Sequence, residues 1–176
     1  RHPTVVARPI TELARGSSGA TALVETTGVL REGRPRGARF GTLVHAVLAH
    51  VPLDATHPRV VAVSNALSRV FGTTDEESAF AVAAVLAALA HPRLREAHAA
   101  KETRREVTVS NLIEDGTLAE GIIDLAYRTD TGWTVVDFKT DEFIATEGVY
   151  AEQLRGYVAA VQRATVEQVL GVLLQV

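Results

Sequence analysis

Asp137 and Lys139 stand two residues apart at the end of an apolar run, Gly132–Trp133–Thr134–Val135–Val136–Asp137–Phe138–Lys139–Thr140. Side chains two positions apart on a strand share a face, so the run predicts a carboxylate and an ammonium together at one end of a core strand. Charges in such a place are costly unless they are paired, hydrogen-bonded or bound to a metal. A second carboxylate, Asp124, lies in the preceding run, Leu118 to Tyr127. The segment Thr129–Asp130–Thr131–Gly132 suits a hairpin. A symmetric loop centred between Asp130 and Thr131 pairs residues whose numbers sum to 261, which sets Asp124 opposite Asp137. Their Cβ atoms would then be about 5 Å apart. Carboxylates that close repel each other unless they share a proton or a cation, and Lys139 is too far along its strand to neutralise both. A bound divalent cation resolves the conflict, and oxygen ligands suit Mg²⁺ or Mn²⁺. A one-residue slip of the loop would instead turn one aspartate to solvent.

Three further features bear on this stretch. Lys101 and Lys139 are the only lysines, so sixteen of the eighteen basic residues are arginine, and a lysine placed just after Asp137–Phe138 stands out. His45 falls at the edge of a helical apolar stripe, one turn after Gly41, whose missing side chain leaves room beside the imidazole. A structural histidine and a ligand are both open on spacing alone. Gln153 lies within the stripe Tyr150, Gln153, Leu154, Tyr157 and Val161, which follows one helix face. A buried amide there needs partners: it would orient Lys139 or contact a phosphate, or else reach water.

The elements that must position these groups follow from periodicity. Leu43, Val44, Val47, Leu48 and Val51 predict a helix from Gly41 that ends at Pro52. Residues 58–72 and 75–90 predict two more, the latter capped by Thr74 or Asp75 with Glu77 or Ser78 following, and a short fourth helix follows Pro92. Arg105–Val109, Leu118–Tyr127 and Trp133–Lys139 predict strands, then a helix over Glu147–Arg163 and a final strand over Val169–Val176. Residues 1–40 are punctuated by Pro3, Pro9, Gly16–Ser17–Ser18–Gly19 and a Gly- and Arg-rich tract. They are expected to be a linker or an extension from a larger chain, with the functional domain over residues 41–176. Within them Ala22–Glu25 suits a short helix or a strand. Arg31, Arg34, Arg36 and Arg39 suit either a phosphate backbone or a solvated linker.

Composition narrows the classes. With no cysteine, the chain has no disulfide, zinc-thiolate site, iron–sulfur cluster or catalytic thiol. The apolar run Ala79–Ala90 is too short for a membrane span and reads as a buried alanine-rich helix. No secretory signal pattern is seen. A chain that starts at Arg1 and has no methionine is expected to be an excised domain. The net charge of -3 argues against a protein that holds nucleic acid by its own charge. No phosphate-cradling G-x-x-x-x-G-K motif occurs.

The set Gly41-x-x-x-His45, Glu106, Gly121-x-x-Asp124–Leu125, Val136–Asp137–Phe138–Lys139–Thr140 and Tyr150-x-x-Gln153–Leu154-x-x-Tyr157 resembles, in order, the motifs of the RecB/AddA-type nuclease domain. That family lies in the PD-(D/E)xK superfamily, and its domain ends bacterial helicase–nucleases that process double-strand breaks. The resemblance spans residues 35–176. It implies an α/β (α+β) fold with a restriction-endonuclease-like core, a central mixed sheet flanked by helices, and an N-terminal helical block. It implies Mg²⁺ or Mn²⁺ bound by His45, Asp124, Asp137 and the backbone carbonyl of Phe138. Lys139 would position or activate the attacking water and stabilise charge on the phosphate, while Gln153 and Tyr157 would hold Lys139 or the DNA. Glu106 matches a recurrent acidic position with no assigned role. The partners implied are DNA, as single strands delivered by a helicase, the helicase domain of the same chain and a partner subunit, in the cytoplasm and without a membrane. Lack of cysteine points to the branch without an iron–sulfur cluster. A catalytically impaired binding module and a stand-alone nuclease of the superfamily are the competing expectations.

Overall fold

The computed structural model describes residues 7–10, 22–29, 32–112, 118–142, 144 and 148–176. Strand β1 (Ala7–Pro9) and strand β2 (Ala22–Thr26) precede four helices, α1 (Ala38–His50), α2 (His57–Phe71), α3 (Asp75–Ala90) and α4 (Pro92–Ala99). Strands β3 (Glu102–Leu112), β4 (Leu118–Thr129) and β5 (Gly132–Lys139), helix α5 (Val149–Thr165) and strand β6 (Val169–Gln175) complete the chain. The six strands form one sheet in the order β1-β4-β5-β6-β2, with β3 also paired to β4. It is mixed: β1 runs parallel to β4, whereas β3 and β5 run antiparallel to it. This is the α/β arrangement of a restriction-endonuclease-like core.

The chain divides into two compact units, and the division crosses β5 just after Asp137. The first unit comprises Arg1–Val24, Lys101–Asp137 and Ala145–Leu173. Here α5 lies close against the sheet because glycines leave it room. A methyl group on Gly171 of β6 would come within 2.8 Å of Val158 and 3.0 Å of Leu154. One on Gly156 of α5 would meet Ile10 at 3.0 Å. Along β3 the register to β4 is the same on both sides of Glu106, with Arg105 opposite Leu125 and Val107 opposite Ile123. Glu106 therefore stands level with Asp124, yet its φ of 51° lies in the left-handed region, a conformation that costs a residue with a Cβ about 1–2 kcal/mol.

The second unit comprises Glu25–Ala100, Phe138–Ile144 and Leu174–Val176. Its helices bury Phe40, Leu43, Val44 and Val47 of α1, Val60 of α2, and Ala81, Ala84, Val85 and Ala88 of α3. The small residues of α3 allow close helix contact, and Ser64 of α2 meets Ser78 of α3 at 3.0 Å. A capping box starts α3: the Glu77 N–H donates to Thr74 Oγ1 and the Thr74 N–H to Glu77 Oε2. Thr74 is thus the cap. That second bond, joined by Arg39, holds the Glu77 carboxyl below its usual range. Gly72 ends α2 in the left-handed conformation, φ 64°. His91 ends α3 and begins α4, accepting the Arg93 N–H at Nδ1. Arg93 in turn clasps Glu25 through both Nε and Nη2. No single helix among the described residues is long and apolar enough to cross a membrane.

The described parts of residues 1–40 include structured segments. Residues 7–9 and 22–26 are strands of the sheet, so Ala22–Glu25 adopts the extended alternative. Arg34 is buried. Arg36 pairs with Glu142 and Arg39 with Glu77. Of the arginine tract, Arg34 is buried in the fold, Arg36 and Arg39 make ion pairs while their side chains stay exposed, and Arg31 lies outside the described residues.

Candidate active site

The β4–β5 hairpin fixes the two aspartates. Thr129 pairs with Gly132, Arg128 with Trp133, Tyr127 with Thr134, Ala126 with Val135 and Leu125 with Val136. Each pair sums to 261, the register expected from the Asp130–Thr131 loop, and the next step along it sets Asp124 level with Asp137. Strand β5 is buried from Trp133 to Phe138, so the Asp137 carboxylate is carried into an apolar row and is only 3% exposed. Its Oδ2 atom is buried and accepts no hydrogen bond from the described residues. Asp124 is half-buried. A buried carboxylate beside a second one is a donor set suited to a hard divalent cation.

Helix α5 brings Tyr157 to this pair. Tyr157 is 2% exposed, and its ring rests on Gly121, where an added Cβ would lie 2.6 Å from Cε1 and 3.1 Å from the hydroxyl. Only glycine leaves that seat open, which is the physical content of the Gly121-x-x-Asp124 spacing. Gln153, one turn earlier on α5, donates from Nε2 to the Tyr157 hydroxyl at 2.8 Å. Gln153 thus has Tyr157 as a partner, a contact outside the alternatives expected for it, which were Lys139, a phosphate or water. Burial, with the negative charges of Asp137 and Asp124 added and the Gln153 bond opposing, pushes the Tyr157 phenol up to about 12. It is therefore a neutral O–H near neutral pH.

In the second unit, His45 lies on α1, half-buried, with its ring edge-on to Phe138 at 6.2 Å between centroids and 75° between planes. The space beside Gly41 is not open toward the imidazole as expected. Thr140 takes it, with its hydroxyl oxygen 3.0 Å from where a Cβ on Gly41 would lie. Lys139 is half-buried, and its carbonyl accepts the Val176 N–H at 3.0 Å. The other lysine, Lys101, is bound to Asp130 at the hairpin tip.

Among the described residues, no three His, Asp or Glu side chains are gathered closely enough to hold a metal ion. The structure brings together Asp124, Asp137, Tyr157 and Gln153 in one unit, and His45, Phe138 and Lys139 with Thr140 in the other. Reading the sequence missed two positions. Gly121 carried no role until Tyr157 was seen on it, although a glycine inside a strand is itself a signal of close approach. Arg34 had no local signal, because it bonds backbone carbonyls far along the chain.

Comparison with known proteins adds two findings. A family model described as PD-(D/E)XK nuclease superfamily matches residues 22–175. The chain is also similar to an ATP-dependent helicase/nuclease subunit of Lysinibacillus sphaericus (strain C3-41), 28% identical over 162 residues. That match covers 81% of this chain and 13% of the relative.

Proposed function

This chain belongs to the PD-(D/E)XK nuclease superfamily, and from that premise we propose that it is a metal-dependent deoxyribonuclease, an exonuclease domain hydrolysing DNA phosphodiester bonds. We assign it the role of the C-terminal nuclease domain of a cytoplasmic ATP-dependent helicase–nuclease in double-strand break repair and recombination. The observation that carries the reading is the buried Asp137 carboxylate level with Asp124 across the hairpin. Nucleases of the superfamily generally use divalent metals, and Mg²⁺ or Mn²⁺ is the proposed ion, with His45 and the Phe138 carbonyl as further ligands implied by the family motifs. When bound there, the ion supplies a Lewis acid that polarises the phosphate and lowers the pKa of a coordinated water.

The chain's own residues do the rest. Lys139 provides a fixed positive charge where negative charge grows on the phosphate. The neutral Tyr157 hydroxyl, bonded by Gln153 beside the two carboxylates, helps hold Lys139 or the DNA, the role that the family motifs imply for both residues. Phosphate contacts carry no sequence information, so cleavage is expected to be indifferent to sequence. The net charge of -3 and the burial of Arg34 within the fold favour DNA held by another module. The relative's name, with its helicase and nuclease parts, supports taking that module to be a helicase of the same chain with a partner subunit, delivering single strands.

Degradation of end-labelled single-stranded DNA with Mg²⁺ or Mn²⁺, by this chain and by Asp137→Ala, tests the proposal. Metal-dependent cleavage that vanishes in the variant is expected. Cleavage that survives Asp137→Ala would sink the site assignment. No cleavage with or without a helicase partner would favour a catalytically impaired binding module. Efficient cutting of circular DNA would favour a stand-alone nuclease.

A further inference from the structure

Beyond β5 and β6, Arg34 is a buried cation with backbone partners from both strand ends. Arg34 is 8% exposed. Its Nη2 donates to the Thr140 carbonyl at 2.5 Å and its Nη1 to the Val176 carbonyl at 2.6 Å. The guanidinium also lies over the Phe40 ring, 5.4 Å from the centroid, and Phe40 sits in the first turn of α1. The ladder between these strand ends finishes with the Val176 N–H on the Lys139 carbonyl. Arg34 then ties the next carbonyl on each side. Thr140 is further wedged into the notch left by Gly41 on α1, one turn before His45.

We propose that Arg34 is a positioning residue of the nuclease site. Its planar fork fixes the Phe138–Lys139–Thr140 backbone and, through Phe40, the helix that carries His45. A fork with two N–H groups aimed at two carbonyls suits arginine and not lysine, which offers a point charge without the planar geometry. An arginine stacked on an aromatic ring and buried this far does not reach phosphate, so its loss acts on turnover through the groups it holds. The inference rests on the nuclease reading for its consequence and on the second unit's contacts for its geometry.

The test compares the wild-type chain with Arg34→Ala and Arg34→Lys, each checked for folding by circular dichroism. Cleavage of single-stranded DNA is followed at saturating Mn²⁺. The expected result is a fall in kcat of about tenfold or more, as for small misplacements of catalytic groups, with KM for DNA changed by less than about twofold. Free guanidinium ion should raise kcat of Arg34→Ala and not of the wild type, and Arg34→Lys should resemble Arg34→Ala. A folded Arg34→Ala with wild-type kcat, or one that changes KM alone, overturns the proposal. If the wild type cleaves nothing with or without a helicase partner, the nuclease reading fails, and calorimetric titration with Mn²⁺ decides on Arg34 separately. Weaker Mn²⁺ binding by folded Arg34→Ala would support positioning. Equal binding, or none by either protein, would remove it.

Discussion

Replacing Gly121 by alanine places a methyl carbon 2.6 Å from Tyr157 Cε1, 3.1 Å from its hydroxyl and 3.2 Å from Ile10 Cγ2. Carbon atoms rest at about 3.5–4.0 Å, so the Tyr157 ring must retreat by about 1 Å. Overpacking of this kind costs about 1–3 kcal/mol. The entropy gained on replacing a strand glycine returns about 0.5–1 kcal/mol, leaving a net loss of about 1–2 kcal/mol. Urea unfolding at constant m gives the measurement. The decisive comparison is a double-mutant cycle with Tyr157→Ala, which removes the ring and leaves the Ile10 contact in place. Gly121→Ala should then cost almost nothing, with a coupling of about 1–2 kcal/mol between the sites. The same substitution should also reduce cleavage, because the displaced phenol loses its Gln153 bond and its place beside the carboxylates. Equal cost of Gly121→Ala with and without the Tyr157 ring would refute the seat described here.

Three further outcomes are expected. In Mn²⁺ at about a hundredfold over Kd the wild type should gain about 2.7 kcal/mol of stability and Asp137→Asn nothing. Calorimetry in EDTA and in Mn²⁺ checks this, and an equal gain by the variant would contradict Asp137 as a ligand. The folded Tyr157 phenol, raised from 10.0 to about 12, keeps its proton when unfolded tyrosine has lost it. Stability should therefore be full below pH 10 and fall between pH 10 and 12 by about 2–3 kcal/mol, a decline that Tyr157→Phe should flatten in unfolding curves taken across that range. Thr74→Ala removes the acceptor of the Glu77 N–H at 3.1 Å and should cost about 1 kcal/mol in a urea titration.

The helices and the central hairpin were legible because their signals are local. Apolar spacing marks α1 through α3, Thr74 and Glu77 announce a cap, and Asp130–Thr131 sets a register that carries Asp124 level with Asp137. The pairing of Gln153 with Tyr157 is local too, four residues along one helix. Strand β1 was illegible because three residues containing a proline show no alternation, and its partner begins at Leu118. The parts that join distant carbonyls share this limit: the partners of Arg34 lie 106 and 142 residues away, and no period in the sequence points to them. The occupation of the Gly41 notch by Thr140 was hidden for the same reason, since an absent side chain shows where space exists and not what fills it.

The place of β2 in the sheet bears on how this chain can be handled in the laboratory. Strand β2 lines β6 at the end of the order β1-β4-β5-β6-β2, and β6 reads Val169–Leu170–Gly171–Val172–Leu173–Leu174–Gln175, without a charge or a proline. A fragment trimmed to begin at Gly41, where the motifs begin, would strip β2 and leave that run with unsatisfied amide and carbonyl groups along one margin. Bare, apolar, uncharged margins of this length recruit further copies of themselves. Such a trimmed protein should collect in inclusion bodies or as thioflavin-positive aggregates, while a version starting ahead of β1 stays dispersed.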